Sequence, residues 1–126
     1  KSDNFRDEQI NYINKSITYF QKMIKNPTFY LWSNDLDNID MSLFNTEIIK
    51  VSHDPQSLLN IDKRVFDLFL ISQCYHHIVI PSSFNWWGAW LCKKQNKIIC
   101  RPNNNFFSHF KINNLDFWPS NWVEIS

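Results

Sequence analysis

The chain reads as an α/β protein: a Rossmann-like parallel sheet with helices on both faces. Three observations predict it. Short apolar runs alternate with stretches of helical period along most of the sequence. The runs are continuously apolar rather than alternating, as in strands buried on both sides. The one glycine among 126 residues stands inside a strand, turn and helix unit, PSSFNWWGAWL at residues 81–91. Strands buried on both sides need a helix layer above and below, and strand–helix alternation makes such a sheet parallel.

The elements follow in order. Ile10, Ile13, Ile17, Phe20 and Ile24 recur at alternating steps of three and four, so an opening helix with one apolar face ends before Pro27. Residues 28–32 read as a strand, 35–44 as a short helix and 46–51 as a second strand. Residues 62–74 form the next helix, 77–81 the third strand, 84–94 the third helix and 97–100 the fourth strand. The pairs Trp86 with Trp90 and Trp87 with Leu91 give the third helix its period. The Asn-rich, aromatic tail from Asn103 is expected to lay Trp118 and Trp122 back over the core. No repeat or internal linker is visible, so residues 1–126 are read as a single domain. The chain opens on Lys1 and enters its helical pattern almost at once, which suggests part of a longer protein.

Thirteen basic and twelve acidic residues leave a formal charge of +1. No basic stripe exists, which argues against bulk nucleic-acid binding. Cys74, Cys92 and Cys100 are odd in number and lack CxxC spacing, so they are read as buried, reduced thiols of a cytoplasmic protein. No apolar run reaches the roughly 18 residues of a membrane span, and no signal-peptide pattern is visible.

In an open α/β sheet, ligands sit outside the carboxyl ends of the strands. Three groups fall there: Ser33, Asn34 and Asp35; Ser52, His53 and Asp54; and residues 82–85. In the third group Ser82 and Ser83 mark the helix start, and Ser83 is expected to be its N-cap. The amides of Phe84, Asn85 and Trp86 then lack intrahelical partners, an arrangement that attracts phosphate. For the first two groups, turn and cap chemistry selects the same residue types as ligand contact, so both readings stay open.

Asp67 lies on a mainly apolar helix face with Ile71 and Cys74. Either it pairs with Lys63 or Arg64 one turn earlier, or it accepts from the N1 and N2 donors of a guanine. Trp86, Trp87 and Trp90 follow the helix period and are expected to pack on the sheet, with Gly88 allowing close approach. An exposed sugar platform is the other reading of these tryptophans. His76 and His77 enter a buried strand and read as structural. No Asp, Glu or Cys stands near them at a metal spacing.

The wording SSFNWWGAWL at residues 82–91 closely resembles SSFSWWGAWL, a hallmark of glycosyltransferase family 11, the α-1,2-fucosyltransferases. VFDLFLISQCYHHIVI at 65–80 resembles that family's Asp-x-x-x-Met-Ser-x-Cys-x-x-x-Ile run, and FYLWSNDL at 29–36 resembles its FYIFSDD or FSNDI segment. The similarity covers the chain from about Ile10 to Ile125. It implies a donor domain that is most of one half of a two-domain GT-B enzyme, binding GDP-fucose and acting on a galactose-terminated glycan without a metal. In the related α-1,6-fucosyltransferases, an Asp, a Ser-Gln and a Ser-Ser occur at the spacing of Asp67, Ser72-Gln73 and Ser82-Ser83. By that match Asp67 reads the guanine, and Ser83 with the Phe84 amide contacts the β-phosphate.

Asn34 and Asp35 take the place of the commoner Asp-Asp. The family's HxRRxD motif is absent: the only arginines are Arg6, Arg64 and Arg101, none in that pattern. The resemblance therefore implies a catalytic Arg in an upstream part of the same protein, on a strand between those at 28–32 and 77–81, so that the sheet of this chain should show a gap or a strand borrowed from a neighbouring chain there, and no transfer by this chain alone. It also implies a cytoplasmic location, with peripheral contact at the inner face of a membrane. Two rival readings are a non-catalytic nucleotide-binding domain and an aromatic carbohydrate-binding module.

Overall fold

The computed structural model describes residues 2–33, 35–52, 62–103 and 117–126, with side chains from Arg6 onward. The elements are α1 (Ser2–Met23), β1 (Tyr30–Leu31), β2 (Ile49–Lys50), α2 (Lys63–Ser72), β3 (His77–Ile78), α3 (Ser83–Leu91), β4 (Ile99–Pro102) and β5 (Val123–Ile125). The fold is α/β with parallel strands. β1 pairs only with β2, and the second sheet runs β3-β4-β5, all parallel. Among the described residues the sheet is thus interrupted between β1 and β3, where the resemblance implies a missing strand. The expected short helix at 35–44 is instead two 3₁₀ turns, Leu36–Asn38 and Met41–Leu43.

The apolar stripe of α1 forms as its spacing predicts, with Ile17 and Phe20 buried. Asn26 adopts a left-handed conformation at φ 53° and takes the chain out of the helix ahead of Pro27. On an adjacent face Tyr12 is also buried, and its hydroxyl lies 2.6 Å from the carbonyl of Val79 and 2.9 Å from that of Cys100. This ties α1 to two neighbouring strands. Burial raises the Tyr12 pKa well above its ordinary value, so the hydroxyl keeps the proton it donates.

The core joins Val79, Ala89, Ile99, Trp118 and Trp122, with Trp86 and Phe117 packed against it. Trp118 and Trp122 therefore lie as the tail pattern predicts. The tail also adds β5, a strand too short to stand out in the sequence. Trp86 packs on Trp122 and donates its Nε1–H to the carbonyl of Phe117 at 2.7 Å. Trp87 and Trp90 differ from expectation: they are 49% and 51% exposed, because the sheet-facing side of this short helix is filled by Ala89 and Trp86. Trp90 stacks on Trp86 at 5.3 Å, and Trp87 meets that ring edge-on at 5.1 Å.

Gly88 does allow a close approach, but to α2 rather than to the sheet. A Cβ there would stand 2.5 Å from Ile71 Cγ2 and 3.2 Å from Ile71 Cβ. Lys97 Nζ then closes the carboxyl end of α3, donating to the carbonyls of Cys92 at 2.6 Å and Ala89 at 3.3 Å.

The three cysteines are free thiols, with Cys92 and Cys100 buried and Cys74 half-buried. The two histidines differ in what they bond. His76 Nδ1 accepts from the amide of Ile98 at 2.9 Å, which aligns the start of β4. His77 is buried, and desolvation pushes its pKa from 6.5 down to about 4.

A depressed histidine pKa means that the unfolded chain takes up a proton which the folded chain resists, so stability is lost as the pH falls from 6.5 toward 4. The His77 contribution lowers unfolding free energy by roughly 1 kcal/mol between pH 6.5 and 5.5. Urea midpoints of the native chain and of His77→Gln measure it as a difference. Parallel pH profiles for the two chains would contradict it.

Candidate functional site

The carboxyl end of β3 runs through Ile80 and Pro81 into α3. The cap is one residue earlier than expected: Ser82, with extended backbone at φ −149°, holds the N-cap position, and Ser83 is the first helical residue. Ser82 makes no side-chain cap bond, and its own amide donates to the Ile80 carbonyl at 2.7 Å. The first intrahelical bond runs from the Trp86 amide to the Ser82 carbonyl at 3.0 Å. The amides of Ser83, Phe84 and Asn85 are therefore the ones without intrahelical partners. Ser83 is exposed and Phe84 half-buried.

At the carboxyl end of β1, the Asp35 amide donates to Ser33 Oγ at 3.1 Å, and Asp35 Oδ1 accepts from Asn38 Nδ2 at 2.7 Å. Turn chemistry thus accounts for part of what Asp35 does, and its carboxylate stays exposed. Asn34, His53 and Asp54 lie outside the described residues. A cavity of about 970 Å³ opens between this turn and α3, and its wall includes Ser33, Asp35 and Asn85. Ser82, Ser83, Phe84 and Asp67 do not line it. The fold therefore brings the first and third polar groups to one cavity, through Asn85 rather than through the serines.

Asp67 is 8% exposed, and its Oδ2 holds Lys63 Nζ at 3.0 Å. The ion-pair reading holds, though the carboxylate is less exposed than such a pair suggests. A short turn joins α2 to β3 and another joins β3 to α3, so the two helices run parallel. Ile71 and Leu68 meet Gly88. Asp67 lies one turn before Ile71 on α2, and Phe84 one turn before Gly88 on α3.

Two charged groups escaped the sequence reading. Arg6 and Asp40 both line the cavity, and Ser42 holds the Asp40 carboxyl below the usual carboxylate range with hydrogen bonds from its hydroxyl and amide. The signal for Arg6 was present in the chain, since it continues the Ile10, Ile13 and Ile17 stripe one turn earlier. Arg64 and Arg101 are engaged elsewhere, with Asp62 at 3.7 Å and Glu124 at 3.4 Å. Among the described residues no group of three His, Cys, Asp or Glu could hold a metal ion, and no helix is long and apolar enough to cross a membrane.

Parallel strands with helices between them make the protein an α/β protein, with polar groups gathered at the strand carboxyl ends. The chain belongs to glycosyl transferase family 11, whose family model matches residues 5–126. It is 32% identical over 110 residues to an alpha-1,2-colitosyltransferase of Escherichia coli, covering 87% of this chain and 37% of that protein. It is 26% identical over 110 residues to the O-antigen biosynthesis glycosyltransferase WbnK of Escherichia coli, covering 86% of this chain and 35% of that protein. The chain thus spans about a third of the length of these relatives. No solved structure matches it.

Proposed function

We propose that this chain is the donor-binding part of a GT-B glycosyltransferase that moves fucose from GDP-fucose to the 2-hydroxyl of a terminal galactose, with inversion. The carrying observation is the amino end of α3, where three amides without intrahelical partners follow β3 directly in a family 11 chain. Those amides suit a diphosphate. As the sugar leaves through an oxocarbenium-like transition state, negative charge builds on departing GDP, and fixed donors at a helix end stabilise it without a metal. Asp35 and Asn34 would contact the base or ribose, and Asp67 would read the guanine. In the complete protein an arginine outside these 126 residues would face the diphosphate, and the enzyme would work in the cytoplasm, peripherally at the inner face of a membrane.

The colitosyltransferase relative favours a second donor within the same scheme, a GDP-linked colitose, with the 1,2 linkage retained. Parallel titration with both nucleotide sugars separates the two.

Two variants test the site. Ser83 is exposed and is the first helical residue rather than the cap, so Ser83→Ala is expected to leave stability within about 0.5 kcal/mol of the native chain. It should weaken GDP binding by about 1 kcal/mol, roughly fivefold, through one lost phosphate contact. Unchanged GDP affinity would remove Ser83 from the site. Asp67→Asn loses the Lys63 pair of a buried carboxylate, so its cost in stability is expected to exceed the ~0.5 kcal/mol of an exposed pair. On the folded variant the expected effect is a loss of preference for GDP over ADP, and an unaltered preference would end the guanine assignment.

A further inference from the structure

We infer that the outer face of α2 and α3 is a docking surface for an anionic lipid bilayer, with the two helices lying along it. The inference rests on the peripheral placement proposed above and names the face that makes the contact. Val65 and Phe69 stand one turn apart on α2, and Trp87, Trp90 and Leu91 share one side of α3. All five are at least 45% exposed, although each helix already buries its inner side, Ile71 on α2 and Ala89 on α3. The helices meet at Gly88 against Leu68 and Ile71, so their outer sides adjoin. Single exposed apolar residues are ordinary, but a joined face of large ones marks an interaction surface.

The charges select the occupant. Residues 62–94 carry four bases, Lys63, Arg64, Lys93 and Lys94, and two acids, Asp62 and Asp67. Both acids belong to the amino end of α2, where they hold Arg64 at 3.7 Å and Lys63 at 3.0 Å. Lys93 and Lys94 follow the carboxyl end of α3, and among the described residues neither pairs with a carboxylate. Lys94 Nζ stands 4.7 Å from the centre of the exposed Tyr75 ring, just past the carboxyl end of α2. One end of the apolar face is thus neutral and the other is basic and aromatic.

Tryptophan, tyrosine and lysine at the margin of an apolar helix face are the residues that settle between headgroups and acyl chains. An anionic bilayer offers carbon to Trp87, Trp90 and Leu91, and phosphate to the lysine heads. A second copy is a poorer occupant, because the acids it could bring to Lys93 and Lys94 are already matched by Lys63 and Arg64. A glycan platform sets hydrogen-bonding side chains around an aromatic ring, whereas Val65, Phe69 and Leu91 extend this face with carbon.

Co-sedimentation of the complete gene product with phosphatidylglycerol–phosphatidylcholine vesicles, and with phosphatidylcholine alone, tests it. Binding is expected to the anionic vesicles and to fall as salt rises. The pair Lys93→Gln and Lys94→Gln is expected to weaken it by about 25-fold, about fivefold for each lysine. Trp87→Ser is expected to weaken it by at least about tenfold, through the half of the ring left out of lipid. Melting temperatures report that each variant is folded. Binding that neither change weakens would overturn the inference and leave a peripheral protein that uses another face. No binding by the native product would overturn both, and equal binding to the neutral vesicles would overturn the inference alone. So would binding by the 126-residue chain but not by the complete product, since the remaining polypeptide would then cover the face.

Discussion

Replacing Gly88 by leucine is expected to destabilise the fold by about 3 kcal/mol, the upper part of the range for overpacking a closed interior site. The first added carbon already stands 2.5 Å from Ile71 Cγ2, and Ile71 is itself buried. Ile71 branches at Cβ and has few rotamers to escape into, so α3 must move away from α2. That movement also shifts the amino end of α3. A double-mutant cycle with Ile71→Ala identifies the cause: the two substitutions together should cost less than the sum of their separate effects. Additive costs, or an unaltered melting temperature for Gly88→Leu, would contradict the packing account.

No fucosyl transfer from GDP-fucose to lactose is expected from the 126-residue chain. The resemblance assigns the charge that offsets the diphosphate to an Arg motif this sequence lacks, and losing one such contact lowers a rate by about 10²- to 10³-fold. The resemblance also implies an acceptor-side domain outside this chain, which covers 37% of its colitosyltransferase relative. Activity should sit at background in a mass-spectrometric assay of the glycan. Measurable turnover would point to Arg6, because it lines the cavity while Arg64 and Arg101 face Asp62 and Glu124.

Much of the fold was legible because burial leaves a period in the sequence. The stripe on α1, the apolar stretch of β3 and the helical spacing of α3 each repeat over several residues, and a repeated pattern survives local exceptions. Features that depend on one residue or on pairing were not legible. A lone glycine announces a close approach without naming the partner, so α2 could not be told from the sheet. Two adjacent serines are chemically equal as caps, and only the backbone angle at Ser82 decides between them. Trp87 and Trp90 share a helix with Trp86, yet it is Trp86 that Phe117 and Trp122 of the described tail meet. The break between the two sheets was legible only through the resemblance, which places a missing strand there, because side-chain order along the chain does not encode which strands lie side by side. At the site, Asp35 and Asp67 were visible as acids in notable places. Lys63 and Asn38 as their partners follow from helix and turn geometry.

Calorimetric titration of the native chain with GDP, ADP and 2′-fucosyllactose is the most direct test of the donor-domain reading. The account predicts that GDP binds, that ADP binds more weakly and that the free glycan gives no heat. Binding of the glycan with indifference to GDP would contradict it, and would make the exposed faces of Trp87 and Trp90 the functional surface instead.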